Sequence, residues 1–154
     1  MTKHIGVKLI NAFPMTRQAY NDFRGWQLPA DENGADEGYL VEYLDGGKPN
    51  TDRFDGYVSW SPKEVFEKAY RPVSGLSFSL AIEALKQGKK VARAGWNGKG
   101  MWLKLVPADI ADKVAFEYEA LDGAPWIGMK TADDKFVPWL ASQTDVLAED
   151  WQIV

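Results

Sequence analysis

The chain contains no cysteine. That removes disulfides, thiolate metal sites and cysteine nucleophiles, and it agrees with a reducing compartment. Histidine is almost as scarce: His4 is the single one. Histidine is the commonest general acid–base group and metal ligand, so zinc centres and Ser-His-Asp triads are nearly excluded. Only a carboxylate, Lys or Tyr mechanism survives this shortage. No apolar run approaches the roughly 20 residues of a membrane span. The opening MTKHIGVKLI has neither the apolar region nor the cleavage site of a signal peptide. The expected setting is therefore cytoplasmic. Basic runs are also missing, and the net charge is −4. Binding a long nucleic acid calls for a cationic footprint, so none is expected as a partner. A small anionic ligand needs only a few well-placed Lys or Arg side chains.

What is plentiful is tryptophan, with 7 in 154 residues. Aromatic rings fill cores, but they also serve as stacking platforms for bases and sugars. The rest of the composition, 45% hydrophobic and 26% charged, is ordinary for a globular chain of one domain or two small ones.

The sequence divides near Arg71-Pro72-Val73-Ser74-Gly75 into modules of residues 1–72 and 76–154. Charge does not distinguish them. The expected class is α+β, each module a short antiparallel sheet with one or two packed helices. In the first, the alternation of IGVKLINAF predicts a strand. A short helix is expected from Pro14 to Arg24, then a polar loop, PADENGADEG, and strands at YLVEYL and GYVSW. SPKEVFEKAY reads as a helix start, with Ser61 as cap, Pro62 in the first helical position and Glu64 completing a capping box. Val65, Phe66 and Ala69 supply its apolar stripe.

In the second module, Phe78, Ala81, Ile82 and Leu85 share one helical face, and Gly88 is the stop. VARAGW and MWLKLV are strand-like, with Asn97 to Gly100 as the turn between them. Ala108 to Gly123 reads as an irregular excursion. PWIGMKT and KFVPW form a hairpin around Ala-Asp-Asp. Ser142 or Thr144 caps a short helix, and WQIV closes as a strand. Trp26, Trp60, Trp102 and Trp126 are expected in cores.

Two stretches combine aromatic faces with polar groups. In GWNGKG, a hairpin turn explains the glycines. A binding loop would use the same glycines for close approach, Trp96 as a face and Asn97 as an amide. The glycine spacing matches no phosphate-loop motif. In the second stretch, Trp139 precedes Ser142-Gln143-Thr144-Asp145. A capped helix with Asp145 in its first turn is one reading. Helix N–H groups and side chains that meet ribose or phosphate oxygens are the other. Asp145 with Glu149 and Asp150 also raises a carboxylate pair for glycoside cleavage, but a solvated helix end explains them more simply.

Two long motifs carry a resemblance. They are F-x-x-A-I-E-A-L-K-x-G-K-K-V-A-R-x-G-W-N-G-K-G-M-W-L and M-K-T-A-D-x-K-F-V-P-W-L-A-S-Q-T-D-V-L-A-E-D-W. In this order they resemble a family of small phage and prophage proteins that includes the second type of Thoeris anti-defence protein. The resemblance implies a sponge without catalysis and without a cofactor. It would sequester glyco-cyclic ADP-ribose, and in some relatives cyclic di- or trinucleotides, in pockets between the protomers of a homotetramer. It further implies Trp96 and Trp139 as stacking walls and Phe78 as another. Asn97, Gln143, Thr144 and Asp145 would hydrogen-bond ribose and adenine, and Lys99 and Lys130 would meet phosphate. The first module is absent from the small members. Its D-G-Y-V-S-W-S-P-K-E-V-F-E-K-A-Y ending is similar to short phage proteins from which no function follows. Against the sponge stand an enzyme that destroys the signal through Asp145 or Glu149, and a structural phage protein whose tryptophans only pack.

Overall fold

The computed structural model describes residues 1–96, 100–109 and 123–154. The chain forms two compact units, Met1–Tyr70 and Arg71–Val154. The class is α+β, with an antiparallel sheet of 3 strands in the first unit and one of 5 in the second.

The first unit runs β1 (Ile10–Pro14), α1 (Arg17–Arg24), β2 (Gly38–Tyr43), β3 (Tyr57–Pro62) and α2 (Lys63–Ala69). Strand β2 is central, and alternate residues on it serve opposite faces. Leu40 packs with Tyr20 of α1 and Val58 of β3. Its neighbour Tyr39 stacks on Phe66 of α2, with ring centroids 4.1 Å apart. A helix therefore covers each face.

Several local expectations change here. Ile5 to Leu9 form no strand, because β1 extends only as far as β2 offers a partner, Ile10 opposite Tyr43. Pro14 ends β1, and α1 starts later with Thr16 as cap, its hydroxyl accepting from Ala19 N. Ser61 and Pro62 do not open α2 through a capping box. They pair with Tyr39 and Gly38 in the sheet, and α2 begins at Lys63 without a side-chain cap. Of the expected stripe only Phe66 is half-buried; Val65 and Ala69 are exposed. Trp60 packs against the core and donates Nε1–H to Met15 O at 2.8 Å. Trp26 does not: it is 53% exposed, under the Arg24 guanidinium.

The second unit contains α3 (Phe78–Lys86), β4 (Val91–Arg93), β5 (Trp102–Val106), β6 (Trp126–Lys130), β7 (Phe136–Pro138), α4 (Gln143–Val146) and β8 (Trp151–Ile153). The strand order is β7-β6-β5-β4-β8. Helix α3 ends where Gly88 takes φ +76°, with Gly88 N–H donating to Leu85 O and Lys89 N–H to Ala84 O. This paired closure needs a left-handed residue, which glycine supplies without strain. Ala81, Ala84 and Leu85 of α3 pack on Val91, Leu103 and Trp151, with Leu105, Ile127 and Met129 alongside.

The alternation then puts Trp102, Trp126, Gly128 and Lys130 on the opposite face of the sheet. Trp102 and Trp126 are accordingly not core residues. They are half-buried on either side of Phe136, at centroid distances of 6.0 and 5.7 Å. The Phe136 ring lies over Gly128, where a Cβ would collide with it. The turn at Asn97 to Lys99 and residues 110–122 of the expected excursion lie outside the described residues.

Candidate functional site

Four aromatic residues from separate segments of the second unit meet at one end of its core. Phe78 opens α3, Trp96 follows β4, Trp139 follows β7, and Trp151 opens β8. Trp151 is the hub and is 0% exposed. Its ring centroid lies 5.4 Å from that of Trp96, 5.5 Å from Phe78 and 6.0 Å from Trp139. Trp96 and Trp139 are 6.3 Å apart and inclined at 65°. Both are half-buried, so each keeps part of its surface open. Inclined at that angle, the two rings do not clamp a flat ligand between them. They form two walls of a corner.

A charged network lies against this corner. Arg93, the last residue of β4, sits opposite Trp151 in the sheet. Its Nε donates to Asp150 Oδ1 at 2.8 Å and its Nη1 to Asp145 Oδ1 at 3.0 Å. Asp150 Oδ2 also accepts from Gly95 N at 3.1 Å. Asp145 Oδ2 accepts from Ser142 N at 3.0 Å and Ser142 Oγ at 2.6 Å, while Ser142 Oγ accepts from Asp145 N. This is a complete capping box at the start of α4. Trp151 Nε1 donates to Asp145 O at 3.0 Å, tying the hub ring to the same turn.

Electrostatics follow from these bonds. Burial pushes the Asp145 carboxyl up, but the hydrogen bonds from Ser142 and Arg93 together outweigh it and hold it below the ordinary range. Asp150 is held low chiefly by the Arg93 hydrogen bond, against a smaller cost of burial. Both are ionised at neutral pH, and neither is a proton donor there.

Residues 76–154 match the family model described as the Thoeris anti-defense 2-like domain. The chain belongs to this family. It is also similar to a protein named Thoeris anti-defense 2 from Bacillus phage SP01. The two are 49% identical over 84 residues, which is 51% of this chain and 94% of the relative. All four rings of the corner and the whole Arg93 network lie within the matched residues.

Against the site expected from the family resemblance, the structure gathers Phe78, Trp96, Trp139 and Asp145. Gln143 and Thr144 are exposed on the first turn of α4, beside Asp145. Asp145 has about four acceptor positions, and three are already used by Arg93 and Ser142. Lys130 is not with the rings. It points to the other face of the sheet and pairs with Asp134 at 2.5 Å. Its Nζ lies near Gly100, 3.7 Å from where a Cβ would stand. Asn97 and Lys99 lie outside the described residues.

Sequence reasoning missed Arg93 and the central place of Trp151. The pairing of Arg93 joins residues 52 and 57 positions away, and no local spacing announces that. The signal for Trp151 was its single buried position in a short terminal strand, which looks the same as any core tryptophan. Among the described residues, no cluster of three or more His, Asp or Glu has metal-binding geometry. No helix there is long and apolar enough to cross a membrane.

Proposed function

We propose that the chain is an anti-defence sponge: it binds a nucleotide-derived immune signal, foremost glyco-cyclic ADP-ribose, and holds it intact in the host cytoplasm. The observation that carries this reading is the corner of Phe78, Trp96 and Trp139 built on Trp151, inside the segment that matches the Thoeris anti-defense 2-like family. Half-open indole faces beside a polar helical turn suit a ligand with flat bases and ribose hydroxyls. Gln143 and Thr144 are the side chains free to read those hydroxyls, with the remaining acceptor position of Asp145. Asn97 and Lys99, which follow Trp96 in the sequence, are proposed as further polar contacts, while Lys130 faces the other side of the sheet and is left out of this corner. The reading needs no cofactor.

Assembly belongs to the same proposal. Leu140 and Leu147, beside Trp139 and at the end of α4, are 91% and 77% exposed. Exposed large apolar side chains are candidates for contact with another protomer. A homotetramer in which a second protomer covers this side would also deepen the corner into a pocket. A glycoside-cleaving enzyme with Asp145 as its general acid would need that carboxyl to stay protonated near neutral pH. The Arg93 pairing works against that.

The test is calorimetric titration of the purified chain with glyco-cyclic ADP-ribose and with a cyclic trinucleotide, followed by heating and chromatography of the released ligand. Binding with unchanged ligand is expected. Binding followed by a changed product would replace the sponge by an enzyme, and no binding of either ligand would leave a packing role for the tryptophans.

A further inference from the structure

We propose that Arg93 is the positioning residue of the aromatic corner, setting the angle and separation of Trp96 and Trp139 without touching ligand. This deepens the sponge reading and rests on it for the binding consequence. The geometry is specific. Trp96 hangs from a tight turn in which its N–H donates to Arg93 O at 3.1 Å. The same turn is held from outside, because Gly95 N–H donates to the Asp150 carboxylate that Arg93 Nε also grips. Through Nη1, Arg93 reaches the carboxylate of Asp145, which completes the capping box of α4 six residues beyond Trp139. Asp145 O in turn receives the Trp151 indole N–H.

One planar guanidinium thus joins the Trp96 turn, the Trp139–α4 segment and the hub ring. The Arg93 side chain is 17% exposed, so water competes little for these bonds. Two of its nitrogens reach two separate carboxylates. A lysine, with one nitrogen at the end of a flexible stem, cannot reproduce that fork. Other rings of the chain also meet arginines, but face-on: Arg24 lies over Trp26 and Arg53 over Phe23. Arg93 makes no such face contact among the described residues. It acts on the rings through the backbone and the carboxylates.

The experiment compares the whole chain with Arg93→Lys, Arg93→Met and the triple variant Arg93→Met/Asp145→Asn/Asp150→Asn. The triple variant leaves no unpaired carboxylate behind and guards against simple failure to fold. Near-ultraviolet circular dichroism reports the mutual arrangement of the coupled tryptophans. Far-ultraviolet spectra report the fold. Titration with glyco-cyclic ADP-ribose reports the site.

Arg93→Lys is expected to keep the far-ultraviolet spectrum, change the tryptophan signal and weaken binding about 10- to 100-fold, as losing a supporting contact typically does. The triple variant should fold, with the same changed tryptophan signal. Wild-type-like tryptophan spectra in both variants would overturn the proposal. So would weakened binding with an unchanged tryptophan signal, which would make Arg93 a direct ligand contact. If the wild-type chain itself binds nothing, the sponge reading fails, and the tryptophan signal alone still decides what Arg93 does.

Discussion

Both units are small antiparallel sheets rich in aromatic residues, yet they cover their rings differently. In the first unit, arginines lie on ring faces: Arg17 over Trp60, Arg24 over Trp26 and Arg53 over Phe23, at 5.0, 4.5 and 5.1 Å from the centroids. A face occupied by a guanidinium is closed to a base or sugar. In the second unit, no cation lies over Trp96, Trp139 or Phe78 among the described residues, and the nearby arginine is spent on carboxylates. The number of tryptophans therefore says little about binding. What covers each ring decides whether it can stack on a ligand.

The largest expected effect tests the hub. Trp151→Ala removes a fully buried ring and should cost about 3–5 kcal/mol. Calorimetric unfolding of the whole chain should show the loss in the transition assigned to the second unit; equal losses throughout would mean that the units do not unfold separately. Gly128→Ala comes next. Its new methyl would collide with the Phe136 ring. A loss of about 1–3 kcal/mol is expected, as for overpacking elsewhere. Chemical denaturation measures it, and a neutral result would show that the ring moves aside freely.

Acid response sharpens the same contrast. Asp145 and Asp150 have folded pKa values below their ordinary ones. Their contribution is fully present above the unfolded carboxylate value of about 4 and is lost as pH falls through the lower folded values. Stability of the second unit should thus decline below about pH 4. The decline should be shallower in Asp150→Asn, and an unchanged acid limb in that variant would remove Asp150 from the account. The smallest effect belongs to Trp26→Ala. Deleting this exposed, arginine-covered ring should cost about 1 kcal/mol or less and leave ligand titration unchanged. Trp139→Ala should weaken uptake while the chain stays folded. Equal losses of uptake in both variants would break the distinction between covered and uncovered rings.

Much of the fold was legible in the residues. The period of Phe78, Ala81, Ile82 and Leu85 located α3, and Gly88 marked its end. The strand-like runs PWIGMKT and KFVPW around Ala-Asp-Asp gave the hairpin of β6 and β7. Errors came where tertiary pairing overrode a local signal. Ser61 and Pro62 carry good helix-start chemistry, but the ladder to β2 claimed them. Ile5 to Leu9 alternate well, but among the described residues no neighbouring strand meets them. Trp102 and Trp126 are large and apolar, but their parity in the sheet points them away from α3.

The sequence by itself determined the α+β class, the scarcity of histidine and the absence of cysteine, the position of most elements, and the motifs by which the family is recognised. These depend on composition, on periods of two and 3.6, and on the order of neighbouring residues. Only the tertiary structure decided that Trp96, Trp139 and Phe78 share a corner with Trp151, that Lys130 faces the other way, and that Arg93 ties Asp145 to Asp150. Those facts depend on which strands are neighbours and which face each side chain takes, and such long-range pairing leaves no mark on local spacing.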